Sequence, residues 1–260
     1  MRMLSLAAAT APAASRLELV HNAAAATFDA VGLRFDLDPP TRTEIRSLRS
    51  ALDLTGLTLL DAEVVRIGTH DVSMIASVLE AAGELGARHL LAVSDIDDDG
   101  ATTAALAELG EQARAVGVRL VVEFMRFTGI RTLQHAYEIV EATGDPDIGV
   151  LVDPLHLARS GGHPAQLTVV DRSRLAYVQL CDAPAEAPAG GLDALIEEAR
   201  HHRLLPGSGE LPLEELLQAV PLVPISVEVH DDRARSEHSP AELARIVADR
   251  TRLRFGQYLR

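Results

Sequence analysis

The chain has 260 residues, a length that suits one large α/β domain, and no shift in composition along it marks a second. Its formal net charge of −14 repels phosphate backbones and argues against nucleic acid as a partner. No stretch approaches the roughly 20 consecutive apolar residues needed to cross a bilayer. Aromatic residues make up only 3% and Trp is absent, so the core must be aliphatic, and the only cysteine, Cys181, cannot close an internal disulfide, which fits a reducing cytoplasm.

The opening MRMLSLAAATAPAAS has the early arginine, short apolar stretch and A-x-A-like end of an export signal. The apolar stretch at 3–9 is at the lower length limit for one, and the strand count needs this segment, so residues 3–7 are read as the first strand. Further apolar runs predict strands near 29–35, 57–66, 89–94, 119–124, 148–153, 175–180 and 224–229. Between them, apolar residues recur at helical spacing in TRTEIRSLRSAL (41–52), DVSMIASVLEAAGEL (71–85), TTAALAELGEQARAV (102–116) and RTLQHAYEIVEAT (131–143). Gly86, Gly117 and Gly144 sit just past three of these helices, where a C-terminal cap is expected. DAPAEAPAGG at 182–191 reads as a long loop after the seventh strand. Eight strand–helix alternations predict a parallel sheet closed into a single (β/α)8, or TIM, barrel domain over residues 1–260.

Four of the strand runs, RLVVE, IGVLVD, LAYVQ and PISVE, close on a polar residue: Glu123, Asp153, Gln179 and Glu228. In a barrel these stand at the C-terminal ends of strands five to eight, on the face where active sites are built. A carboxylate at the end of a buried strand costs desolvation unless a cation or donor offsets it, so four such ends predict a metal site. Three carboxylates and an amide favour Mn²⁺, Mg²⁺ or Co²⁺ over zinc, which prefers His and Cys. The competing reading holds the same residues as helix caps or in ion pairs with arginines such as Arg66, Arg126 and Arg203. Arg34, Arg66, His70 and Asp95 lie near the ends of earlier strands, where they could read the rest of a substrate, and Arg34 with Arg66 suits a carboxylate or polyhydroxylated one. The glycines of PGSGE (206–210) let backbone approach a ligand but equally make a tight turn.

Taken together, VVEF, VDPLHLARSGG, QLCDAP, RLLPGSGELPL and SVEV resemble the xylose isomerase-like barrels. That family includes ketose 3-epimerases, hydroxypyruvate isomerase, inosose dehydratase and 3-dehydroshikimate dehydratase. The resemblance covers most of the chain and is strongest from residue 118 onward. It implies that Glu123, Asp153, Gln179 and Glu228 bind one divalent ion and that His156 and Arg203 touch substrate oxygens. The sugar epimerases usually carry His where this chain has Gln179; the glutamine is similar to dehydroshikimate dehydratase-type members. A bound ion would acidify the proton beside a carbonyl, and Glu228 or Glu123 would take it. The expectation is a cytoplasmic sugar isomerase or epimerase acting on a keto-sugar or cyclic polyol, with a dehydratase of the dehydroshikimate or inosose type as the alternative. The family also implies a homo-oligomer. DNA-repair endonucleases share the barrel but need many metal-binding histidines and a basic groove, which an acidic chain does not offer. A non-catalytic sugar binder would need no proton transfer, yet all four ligand-type residues are retained.

Overall fold

The structure, a computed structural model, describes residues 1–35, 38 and 40–260. Its eight strands are β1 (Leu4–Leu6), β2 (Ala30–Arg34), β3 (Thr58–Ile67), β4 (His89–Ser94), β5 (Arg119–Glu123), β6 (Gly149–Val152), β7 (Leu175–Leu180) and β8 (Ile225–Val227). Each pairs in parallel with the next and β8 pairs with β1, closing the predicted (β/α)8 barrel. The opening segment is a barrel strand, with Leu4 opposite Ile225 and Leu6 opposite Val227.

The strands read as nearly continuous apolar runs because both faces are covered. Leu4, Leu33, Leu90, Val122, Val178 and Ile225 point outward into the aliphatic layer beneath the helices. Ala30, Leu60, Leu91, Val121, Leu151, Ala176 and Tyr177 fill the barrel itself.

Helix starts follow the capping chemistry of the sequence. Ser15 and Glu18 form a capping box, and Thr41, Asp71, Asp98 and Thr132 each accept a backbone N–H of the first turn. The cap at Asp98 starts its helix at Asp99, three residues ahead of the periodic segment, and the helix predicted over 41–52 runs on to Thr55 before Gly56. Gly86 is the left-handed cap of Val72–Leu85; Gly117 and Gly144 take positive φ one residue beyond their caps.

Two boundaries shape the site. Strand β6 stops at Val152, so that Asp153 caps the short helix Pro154–Arg159, and β8 stops at Val227 with Glu228 just beyond. Strand β3 is the longest, and its register against β4 slips between Ala62 and Val65.

Candidate active site

Glu123, Asp153, Gln179 and Glu228 all project from the C-terminal ends of β5 to β8 and are buried, with exposures of 4, 0, 0 and 7%. Of the four, Glu123 and Glu228 line a cavity of about 580 Å³ at the barrel mouth together with His156, Arg203, Arg34 and Arg66. That volume suits a small molecule.

Within the cluster, one ligand atom each from Glu123, Asp153 and His156 lie within 4.8 Å of one another. The Gln179 amide faces Glu123 and Glu228. Turned with nitrogen inward it donates to Glu123 Oε1 at 3.0 Å and Glu228 Oε2 at 3.3 Å. Turned with oxygen inward it joins two carboxylate oxygens, an arrangement that a cation among them makes favourable. The donor set therefore fits a divalent ion. The His156 nitrogen in reach widens the range of ions it accepts to zinc, which the carboxylate-and-amide set alone disfavoured.

Arg203 is the positive charge of the cluster. Its Nη1 donates to Asp153 Oδ2 at 2.7 Å and to Glu228 Oε2 at 2.6 Å, while Nη2 donates to His156 Nε2 at 3.2 Å and Nε to Ala199 O at 2.7 Å. The other oxygen of Asp153 accepts the backbone N–H groups of Leu155 and His156. Both structural roles weighed from sequence, helix cap and arginine pair, thus fall on Asp153 and coexist with a ligand-type position. His230 places Nε2 3.6 Å from Glu228 Oε1 on the far side.

Electrostatics separates the two glutamates at the mouth. Burial pushes the Glu123 carboxyl well above the usual range, and Glu228 and Asp153 push it further. Burial acts on Glu228 in the same direction, but the Arg203 guanidinium outweighs it and, with His230, holds Glu228 below the usual range. Burial lowers His156 to about 4, so its imidazole is neutral near pH 7.

Arg66 stands in the cavity wall, but its guanidinium is held by Asp95 through contacts of 2.8 and 3.1 Å, and Thr69 braces the same carboxylate. His70 accepts the Arg66 backbone N–H, so His70 and Asp95 support Arg66. The PGSGE turn spends its amides on protein: Gly207 and Gly209 both donate to Asp182 Oδ2 at 2.9 Å. A Cβ on Gly209 would lie 2.4 Å from Ala183 O, which explains that glycine.

Sequence reasoning passed over Glu63, His230 and Phe127, which also line the cavity, and Asp182, which anchors the turn that follows Arg203. The signal for Glu63 was present in LLDAEVV, an apolar run carrying two acids.

Fold and site define a (β/α)8 protein with a metal-capable, carboxylate-rich mouth. Residues 20–252 match the family of the xylose isomerase-like TIM barrel, and the chain belongs to that family. It is 28% identical over 202 residues to a 3-dehydroshikimate dehydratase of Pseudomonas putida, covering 74% of this chain and 29% of that relative. It is 32% identical over 114 residues to an inosose isomerase of Halalkalibacterium halodurans, covering 43% of this chain and 38% of the relative. The chain thus spans well under half the length of either. Among solved structures, the IOLI protein with a bound zinc atom superposes with a TM-score of 0.83 at 19% identity, over 98% of this chain and 99% of that one. The probable 3-DHS dehydratase AsbF of Bacillus anthracis gives 0.75 at 13% identity, over 96% and 98%. At these identities the two structures show the shared fold.

Proposed function

We propose that the chain is a divalent-metal-dependent enzyme of the cytoplasm that removes the proton beside the ketone of a cyclic polyhydroxylated substrate and expels a β-hydroxyl as water. In class it is a carbon–oxygen lyase of the dehydroshikimate or inosose dehydratase type. The observation that carries this reading is the convergence of Glu123, Asp153, Gln179 and Glu228 in a buried cluster at a cavity of small-molecule size. Gln179 in place of an imidazole, and the dehydratase relative matched over most of this chain, favour water loss over epimerisation.

Glu123, Asp153, Gln179 and Glu228 would hold the ion, Mn²⁺, Mg²⁺ or Co²⁺ by their oxygen donors. When bound, it supplies the Lewis acidity that polarises the ketone. Glu123 would be kept as its carboxylate by a bound ion, and is then the better base of the two glutamates, because Arg203 stabilises the anion of Glu228 and so weakens it as a proton acceptor. His156 and Arg203 are placed to hold substrate oxygens, and Arg34 and Arg66 at the mouth suit a carboxylate or further hydroxyls.

The second reading is the isomerase or epimerase on a keto-sugar. Carboxylates from two separate strands, Glu123 on β5 and Glu228 after β8, fit a two-base proton transfer, and inosose isomerases are among the relatives.

The test is incubation of the Mn²⁺-loaded protein in D₂O with ketoses, inososes and 3-dehydroshikimate, followed by NMR. Deuterium at the carbon beside the ketone together with a dehydrated product is the expected result. Glu123→Gln should slow turnover by about 10²–10⁴-fold. An epimer or isomer without water loss would select the second reading, and neither exchange nor product across the panel would overturn both.

A further inference from the structure

The four ligand-type residues occupy one half of the barrel ring, on β5 to β8, and β3 stands across the mouth from β7. Where the register of β3 slips against β4, Glu63 and Val64 both reach the cavity wall. A slip of this kind re-aims side chains and is common beside active sites. Glu63 is 4% exposed, and its Oε1 has no hydrogen-bond partner among the described residues.

Behind it lies Asp61, fully buried, with the Tyr177 hydroxyl as its neighbour. The neighbouring strand makes room for both acids: a Cβ on Gly32 would lie 2.2 Å from Asp61 Oδ1 and 3.1 Å from Glu63 Oε1. An unpaired buried carboxylate is costly, and a leucine or glutamine would fill the same wall without that cost. The position therefore calls for a use of the carboxyl itself.

We propose that Glu63 is a catalytic acid, giving its proton to the departing hydroxyl from the side of the cavity opposite the four ligand-type residues. The assignment rests on the dehydratase reading. In the step, a base takes the proton from the carbon beside the ketone, and that electron pair becomes the new C=C bond. The C–O bond of the β-hydroxyl breaks, and the oxygen leaves with the Glu63 proton as water. Glu63 is left as a carboxylate and the base protonated, and exchange with solvent restores both. The products are the unsaturated ketone and one water.

The surroundings keep the Glu63 proton in place until it is needed. Burial raises its carboxyl well above the usual range, and Asp61, Glu228 and Glu123 raise it further, against Arg34. A carboxylic acid kept neutral by its site is the form that donates.

The experiment compares the wild-type chain with Glu63→Gln, which keeps shape and hydrogen bonding but has no acidic proton. Exchange of the proton beside the ketone and water loss are followed separately by NMR in D₂O, Mn²⁺ affinity by calorimetry, and folding by thermal melting. Glu63→Gln is expected to melt no lower than wild type, to bind Mn²⁺ within about twofold, and to keep proton exchange within a few-fold while water loss slows by about 10²-fold or more. Water loss within about threefold of wild type overturns the assignment, as does parallel loss of Mn²⁺ affinity and exchange, which would make Glu63 a ligand or positioning group. A wild type that only isomerises has no leaving hydroxyl to protonate and also overturns it. A wild type silent on every substrate overturns the proposed function itself, a result distinct from an active wild type with an equally active variant.

Discussion

At the scale of single residues, the barrel interior carries polar groups whose ionisation is coupled to stability with opposite signs. Burial pushes Asp61 up to about 7, so the folded state binds its proton more tightly than the unfolded chain does. Its cost is absent near pH 4, grows as pH rises through the interval to 7 and is complete above it. Asp61→Asn should therefore leave stability at pH 4 nearly unchanged and raise it at pH 8 by on the order of a few kcal/mol, read from urea unfolding at the two pH values. A less stable variant at pH 8 would show that Asp61 holds its charge against a partner. His89, stacked on Tyr177 with ring centroids 5.2 Å apart, works the other way. Burial, then Arg119 and Arg88, lowers it to about 3, so its contribution is whole above about pH 6.5 and is lost as pH falls from there toward 3. Replacing it in His89→Phe keeps the stack and should remove up to about 1.4 kcal/mol per pH unit from the acid slope of stability in that window.

At the scale of elements, the turn that follows Arg203 is held by one carboxylate. Asp182, at 1% exposure, accepts the backbone N–H groups of Ala183, Gly207, Gly209 and Leu211 at 2.9 to 3.1 Å, and its own backbone pairs with Leu204, the residue after Arg203. Asp182→Ala leaves several amides with no acceptor and should cost about 2–4 kcal/mol, with hydrogen exchange accelerated across residues 206–211 and turnover lost through misplacement of Arg203. Unchanged protection of those amides would show that the turn stands without its anchor. The same elements show what a sequence displays. Glu123, Asp153, Gln179 and Glu228 were legible because each ends an apolar run, and a run buried on both faces leaves its polar end only the mouth to point into. Glu63 showed only as an acid within the apolar run of β3; that it reaches the cavity depends on a slip in pairing with β4, a property of two strands that neither displays alone. The substrate-facing role of Arg203 came only from family resemblance, and the competing ion-pair reading could not say which carboxylate it meets: that is Asp153, 50 positions away in the chain. Asp95 read as a substrate contact because strand-end position does not reveal that a neighbouring arginine claims the carboxylate.

At the scale of the molecule, closing eight strands into a ring brings three buried carboxylates together in a protein whose net charge is already −14. Some cation must balance them, and the chain supplies one in Arg203, which bridges Asp153 and Glu228. Removing one partner of a buried ion pair leaves an uncompensated charge and typically costs about 3–5 kcal/mol. Arg203→Ala should therefore melt well below wild type in EDTA. A divalent ion bound by the same carboxylates replaces the lost charge, and at a hundredfold excess over its dissociation constant it stabilises any folded protein by about 2.7 kcal/mol. If guanidinium and ion share the balancing of one cluster, Mn²⁺ should raise the melting temperature of Arg203→Ala by more than it raises that of wild type, and bind it more tightly in calorimetry. Equal shifts in the two proteins would mean that Arg203 and the ion act on the carboxylates independently. The arginine would then belong wholly to substrate recognition, and Arg203→Ala would show its defect in KM, with Mn²⁺ affinity untouched.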